Sequence, residues 1–269
     1  KLVTGVQTCA LPIYKLNNNF KLIIQLNNDE FITNVYDFNI NEEYLDWNSL
    51  TPDYSTQYFT IEGISAGTIT LSSSNTNLYF SPNNGENWIE ASQNQGLDVV
   101  PGRNYLLKGT EGNYLIRDDG TAKYKVYGNI MSLIYTDNFT GQTSLNDKTF
   151  KNMFSNNIGL VSAENLILPA TTLADGCYSN MFEGCTSLVN APTLPATTLA
   201  NRCYLNMFNG CTSLNSITCL ATTDITSNNC NNWVYNVASS GTFTKAAGAT
   251  WSSGTSGIPD NWTVVEYSE

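Results

Sequence analysis

The chain repeats itself. Leu168-Pro169-Ala170-Thr171-Thr172-Leu173-Ala174 returns as Leu194-Pro195-Ala196-Thr197-Thr198-Leu199-Ala200. Cys177-Tyr178-Ser179-Asn180-Met181-Phe182 returns as Cys203-Tyr204-Leu205-Asn206-Met207-Phe208, and Gly184-Cys185-Thr186-Ser187-Leu188 as Gly210-Cys211-Thr212-Ser213-Leu214, each 26 residues on. A diverged unit precedes them (Asn152-Met153-Phe154, then Leu160 and Leu168-Pro169). A decayed one follows (Ala221-Thr222-Thr223-Asp224-Ile225, then Cys230 and Trp233). Roughly four units therefore fill residues 149–246. A fixed period with atypical end units is the signature of a stacked array, because no single unit can bury its apolar side alone.

Within a unit, Leu188, Ala191 and Leu194 punctuate a short extended segment with prolines at its edges, where a missing N–H is tolerated. Thr197, Thr198 and Leu199 continue it as strand or turn. Cys203 to Cys211 reads as a short helical or irregular turn. The expected inward set is Cys177, Phe182, Cys185, Leu188 and Leu194 in one unit and Cys203, Phe208, Cys211 and Leu214 in the next. Stacking at a strand spacing of about 4.8 Å places like on like, and each buried Leu, Met or Phe contributes roughly 1.5–3 kcal/mol. Asn180 and Asn206 are expected to bond the turn backbone and to form an asparagine ladder between coils.

The segments Phe182-Glu183-Gly184-Cys185-Thr186-Ser187-Leu188 and Phe208-Asn209-Gly210-Cys211-Thr212-Ser213-Leu214, each followed by an extended stretch, carry a resemblance. They resemble the BspA-like bacterial leucine-rich repeats, whose aromatic-x-x-Cys-x-x-Leu core precedes an extended segment ending in Pro. The usual unit of that family is a few residues shorter, so the 26-residue period marks a subfamily. The resemblance is specific in the two central units and weak in the outer two. It implies a leucine-rich-repeat solenoid, a surface-exposed or secreted protein of a gut bacterium, a binding or adhesive role and no catalysis. Similar modules occur in gut bacteriophage genomes.

Ahead of the repeats the pattern changes. Tyr58–Glu62, Gly67–Leu71, Leu78–Ser81, Leu97–Val100 and Tyr105–Lys108 are short β-rich runs. Pro82-Asn83-Asn84-Gly85 is a hairpin signal. Pro101-Gly102 and Asp119-Gly120 read as turns joining two further strand pairs. Such spacing predicts a β-sandwich over 53–135, a connector at 136–148 and, beyond the repeats, a C-terminal cap at 247–269. The fold class is thus mainly β, a sandwich followed by a short solenoid, each with its own core. Met131 to Tyr135 leads into the first repeat. Residues 14–52 read as a truncated N-terminal segment, with alternation over Phe20–Leu26 and Phe31–Phe38 and one helical turn at Asn41–Trp47. Val3 to Ile13, VTGVQTCALPI, resembles the translation of a sequencing adapter, so residues 1–13 are expected to be an artefact outside the fold, with the true N-terminus and any secretion signal lying upstream.

Composition removes whole classes of chemistry. Histidine is absent, which excludes histidine bases, histidine nucleophile systems and histidine metal ligands. Charged residues are 13% and the net charge is −11, so phosphate backbones and anionic lipid are repelled. No run is long enough to span a bilayer. No cofactor and no metal site are expected. Of the seven cysteines, Cys9 falls in the adapter-like segment and the rest read as a ladder of small buried hydrophobes, a Cys177–Cys185 disulfide remaining open. Asp118-Asp119-Gly120 reads as a polar hairpin turn rather than a calcium loop. Glu42, Glu43 and Asp46 read as a solvated face, and Trp88 and Tyr105 as core or sheet-face packing rather than platforms for sugar rings.

One surface carries a positive argument for function. Val189, Asn190 and Thr193 lie between the inward residues of one coil, and Asn215, Ser216 and Thr218 occupy the matching place in the next. Stacked strands present Asn190, Thr193, Asn215, Ser216 and Thr218 as a nearly uncharged grid of the kind repeat arrays use for binding. The expectation is a non-enzymatic binding or adhesion protein, extracellular or on the cell surface, that takes a protein or glycan ligand and neither binds nucleic acid nor inserts in membrane. Two other roles fit the same modules: a phage virion appendage for host attachment, and an accessory module of a polysaccharide-degrading enzyme. The sequence leaves the oligomeric state open.

Overall fold

Alternating apolar residues close two small hairpins near the N-terminus. β1 (Ile13–Leu16) pairs antiparallel with β2 (Asn19–Leu22), and β3 (Ile24–Leu26) with β4 (Asp29–Phe31). The computed structural model describes the backbone of these four strands and residues 52–73, 77–118 and 120–268. The expectations for residues 1–12, for the remainder of Phe31–Phe38, for Asn41–Trp47 and for Glu42, Glu43 and Asp46 lie outside the described residues.

From residue 53 on, the chain is mainly β. Residues 53–129 form two sheets. The first runs β8 (Ile89–Glu90), β7 (Leu78–Ser81), β10 (Asn104–Gly109), β5 (Phe59–Ser65) and β12 (Lys123–Asn129), all antiparallel. The second runs β11 (Tyr114–Asp118), β6 (Gly67–Ser73) and β9 (Gln95–Val99). The period-2 pattern is visible in burial: Tyr105 and Leu107 in β10, Tyr124 and Val126 in β12, and Leu97 and Val99 in β9 are buried while their neighbours are not. The Asn-Gly hairpin forms as read, with Phe80 opposite Ile89 and positive φ at Asn84 (57°) and Gly85 (90°). The other two turns do not close hairpins. β9 pairs with β6 while β10 pairs with β5 and β7, and β11 pairs with β6 while β12 pairs with β5. Pro101-Gly102 and the turn at Gly120 thus carry the chain from one sheet to the other. Turn residues specify a local reversal, whereas the partner of each strand is set by which apolar face it must bury.

β12 then serves two neighbours. Its other edge pairs in parallel with β13 (Leu160–Ser162) and β14 (Leu166–Ile167), both in the first repeat. Between them the chain passes a four-residue helix, α1 (Ser132–Tyr135). Further bonds tie the second sheet to the same repeat. The Ile116 amide donates to Met153 O (2.8 Å), Asn157 Nδ2 to Ile116 O (2.6 Å), and Arg117 Nη1 to Ser155 O (2.9 Å). The Phe59 ring lies 6.1 Å from that of Phe154. Residues 53–269 are one unit by their contacts, and their buried side chains form one cluster from Phe59 to Trp262. The separate cores expected for the two halves are therefore one core.

In the array, the Cys-Tyr-x-Asn-Met-Phe segment is a chain of turns rather than a helix. Its amides alternate between two destinations. Those of Phe150, Asn152, Phe154 and Asn156 donate to Cys177, Ser179, Met181 and Glu183 carbonyls of the next coil, at 2.6–3.0 Å, while those of Lys151, Met153, Ser155 and Asn157 donate three residues back. Tyr178, Asn180 and Phe182 repeat the pattern onto Cys203, Leu205 and Met207, and Tyr204, Asn206 and Phe208 onto Asn229, Asn231 and Trp233. Such alternation turns every fourth residue left-handed: Lys148, Asn152 and Asn156, then Gly176, Asn180 and Gly184, then Arg202, Asn206 and Gly210. Gly and Asn are the residues that take this conformation at least cost. The asparagine ladder expected between coils is accordingly a backbone ladder. Asn180 Nδ2 donates within its own coil to Glu183 Oε2 (2.7 Å), and Asn206 Oδ1 accepts from Asn209 Nδ2 (3.5 Å).

Inside, the rings stack. Phe150, Tyr178, Tyr204 and Trp233 form one column with centroids 6.0–6.3 Å apart, and Phe154, Phe182 and Phe208 another at 5.2 and 5.5 Å. Cys177, Phe182, Cys185, Leu188, Leu194, Cys203, Phe208, Cys211 and Leu214 are all fully buried. β15 (Ser216–Cys219) and β16 (Thr242–Lys245) within the array and β17 (Thr263–Glu266) beyond it continue the ladder in parallel.

Gly128 in β12 has φ 83°, and a Cβ there would overlap the Tyr58 carbonyl oxygen. Neither the backbone conformation nor the neighbouring strand can yield cheaply. Gly128→Ala is expected to cost more than about 2 kcal/mol, read as a lower urea midpoint with an unchanged slope.

Candidate functional site

The outward face of the repeat strands forms a row. Ser162 is the register partner of Asn190, Asn190 of Ser216, Ser216 of Thr242, and Thr242 of Thr263. Each is polar, short and uncharged, and each is placed by backbone pairing, Ser162 also accepting from the Glu164 amide through its hydroxyl (3.3 Å). A second row runs from Thr218 through Thr244 to Val265. Inward residues alternate with these: Ile217 and Cys219 are buried between Ser216 and Thr218.

Of the residues singled out from the sequence, Thr193, Asn215 and Ser216 are exposed, and Asn190 and Thr218 are half-buried. Asn190 and Ser216 are brought side by side. Thr193 is carried to the second row by Leu194, whose amide donates to Thr218 O (3.0 Å). Asn215 sits just before β15, where its carbonyl accepts from Thr242 (2.9 Å). Ser162, Thr242, Thr244 and Thr263 share the surface and were not singled out. Ser162 had a signal, since it follows Leu160 by the same two places as Asn190 follows Leu188 and Ser216 follows Leu214. Thr242 had one too, since it follows Ser216 by the same 26 residues as Ser216 follows Asn190, whereas Thr263 had none, because the period fails beyond the fourth unit.

Charge stays outside the row. Lys125, the partner of Ser162, pairs with Glu62 at 3.1 Å at one end of the row, and Lys245, which by alternation shares the face of Phe243, pairs with Glu266 at 3.0 Å. Val189, beside Asn190, is exposed and adds an apolar contact.

The remaining candidates are structural in their surroundings. Cys177, Cys185, Cys203, Cys211, Cys219 and Cys230 are free thiols, buried. Cys185 and Cys211 donate S–H bonds at 3.0 Å to the Phe154 and Phe182 carbonyls of the preceding coil. Burial pushes the Cys177 and Cys219 thiols up to about 12. Asp118 is a joint: its carboxylate accepts from the Gly120 amide (3.0 Å) and from Gly159 in the first repeat (3.1 Å), while burial pushes its carboxyl above the usual range. Tyr105 is buried and donates to Asp98 O. Trp88 has its ring face occupied by the Lys108 ammonium, 4.2 Å from the centroid. Lys108 is in turn fixed by Asp137 at 2.8 Å, which also accepts from Tyr58 (2.6 Å) and so stays below the usual carboxylate range. Among the described residues, no group of three or more Cys, Asp or Glu converges on a metal position, and no helix is long and apolar enough to cross a membrane. Comparison of the chain with protein-family models, with curated proteins and with solved structures returns no match.

Proposed function

We propose that this chain is a non-enzymatic binding protein of the adhesion type, displayed on a cell surface or secreted, in which a β-sandwich carries a short BspA-like leucine-rich-repeat solenoid. The ligand is a protein or glycan that lies across the repeat strands. What supports the reading is the in-register row Ser162, Asn190, Ser216, Thr242 and Thr263, an uncharged hydrogen-bonding strip. Fixed backbone and short side chains leave little entropy to lose on binding. Such a strip suits hydroxyls or a peptide backbone better than a charged group.

Replacing Asn190, Thr193, Asn215 and Thr218 together by lysine is expected to abolish attachment to immobilised matrix protein or glycan. The fold is expected to tolerate the change to within about 0.5 kcal/mol per site, because none of the four is buried. Wild-type attachment through this face is expected to vary little with salt, since no exposed charge contributes. Wild-type binding by the quadruple variant would remove the strand face from the function.

A further inference from the structure

Several positive side chains of this acidic chain are spoken for. Lys108, Lys125 and Lys245 sit in ion pairs. Lys123 donates to Ile158 O, and Arg117 to Asn152 O and Ser155 O. Lys148 and Lys151 stand three residues apart on the first turn of the array, are exposed, and have no ion-pair or hydrogen-bond partner for their ammonium groups among the described residues. Arg103 and Arg202 show no side-chain partner among the described residues either, but Lys148 and Lys151 share one cleft, of about 600 Å³, between that turn and the three-stranded sheet.

Apart from Leu115, the rest of the lining is amide and hydroxyl, with no carboxylate among the described residues. Gln93 and Asn94 come from the turn before β9, Asn152 from the repeat, and Leu115 of β11 supplies the apolar element. The walls are tied in place. Ser72 donates to Asn94 Oδ1 at 2.6 Å, and the Asn113 side-chain amide lies against Lys148 O and Thr149 O, to which its nitrogen, assigned to that side, donates at 3.0 and 3.1 Å. Lys148, Asn152 and Asn94 all hold left-handed backbone (φ 58°, 60° and 57°), which fixes the directions in which their side chains leave the chain. The volume falls in the range of small-molecule sites, and a few oriented polar groups around one apolar side chain are what such sites use.

We infer that this cleft is a second binding site, distinct from the strand face, and that it takes an anionic sugar: a hexose ring carrying a carboxylate or a sulfate ester. The ammonium groups of Lys148 and Lys151 receive the anion. Gln93, Asn94 and Asn152 donate to and accept from ring hydroxyls, and Leu115 meets the C–H face of the ring. Lysines are point charges and do not fix a planar partner by themselves, so the amides decide that a sugar, rather than any anion, is held.

Calorimetric titration of the full chain tests this with four probes: a glucuronate-containing disaccharide, a sulfated disaccharide, their neutral counterpart and inorganic sulfate. Binding of either anionic disaccharide, weakened by added salt, with little binding of the neutral sugar or of sulfate, is the expected result, and the preferred probe identifies the charged group. Lys148→Ala with Lys151→Ala is expected to weaken that binding at least about tenfold at an unchanged melting temperature, and the paired arginine variant to retain it. The strand-face lysine variant is expected to bind the anionic disaccharide normally, which separates this site from the proposed function. Absence of binding, equal affinity for inorganic sulfate, or full binding by the double alanine variant would overturn the assignment.

Discussion

Phe208→Asp is expected to unfold residues 53–269 together, not the repeats alone. Phe208 is fully buried, its ring 5.5 Å from Phe182 and 6.1 Å from Trp233. Removing such a ring costs about 3–5 kcal/mol, and an unpaired carboxylate in its place adds several more, against a typical domain stability of about 5–15 kcal/mol. A long array could confine the damage to neighbouring coils. This one is short, and its first coil is also the edge of the sheet ahead of it. If the coils melt, β12 loses both β13 and β14, Phe59 loses Phe154, and Ile116 loses both Met153 O and the Asn157 amide. Hydrogen exchange checks the outcome at the amides of β5 and β10, far from residue 208 in sequence. Their loss of protection along with the repeats is the expected result. Persistent protection there would mean that the two sheets stand without the array.

How much of this was legible in the sequence depends on the range of the interaction. The 26-residue period named nine buried residues of the two central coils, because equivalent positions in a stacked array share one environment, and Leu188 and Leu214 could be placed without knowing their partners; Tyr178, Met181, Tyr204 and Met207, buried beside them, were not in that inward set. The strands of residues 59–129 were legible for a similar reason, since alternation is local. Pairing was not. Pro101-Gly102 announces a reversal but not that β9 and β10 belong to different sheets. The shared core was hidden because no feature of Lys123–Asn129 tells that one of its edges will receive Leu160–Ser162. Asn180 and Asn206 were noticed for their side chains, whereas their left-handed φ values of 57° and 51° explain why they recur. The strand face was found in the two central coils; Thr242 keeps the 26-residue spacing from Ser216 but sits in a unit whose other landmarks have decayed, and Thr263 lies off the period. The lysine-lined cleft joins Gln93 and Asn94 to Lys148 and Lys151, a juxtaposition made by tertiary packing alone.

Alkali is expected to unfold the protein cooperatively near pH 10, and to expose all six array cysteines in the same step. Cys177, Cys185, Cys203, Cys211, Cys219 and Cys230 are buried free thiols, and burial is the largest cause pushing every one of them above the ordinary value of 9.0. The direction of the linkage follows. The folded state holds these thiols protonated, so their contribution is fully present below 9.0 and is lost as pH rises from there toward the folded values, about 12 for Cys177 and Cys219. In that window the unfolded chain releases protons that the folded chain keeps, and each thiol shifts the balance by about 1.4 kcal/mol per pH unit. Six thiols one unit above 9.0 amount to roughly 8 kcal/mol, comparable to the whole stability of an ordinary domain. At neutral pH the same burial makes the thiols inert, since the thiolate is the nucleophile and must first form. A thiol reagent at pH 8 is therefore expected to leave these six unmodified in the native protein and to label all six after denaturation without reductant, the modified peptides being identified by mass so that Cys9 is counted apart. Labelling of fewer than six would reveal a disulfide such as Cys177–Cys185, and retention of native structure well above pH 10 would show that the thiols are not held protonated by the core.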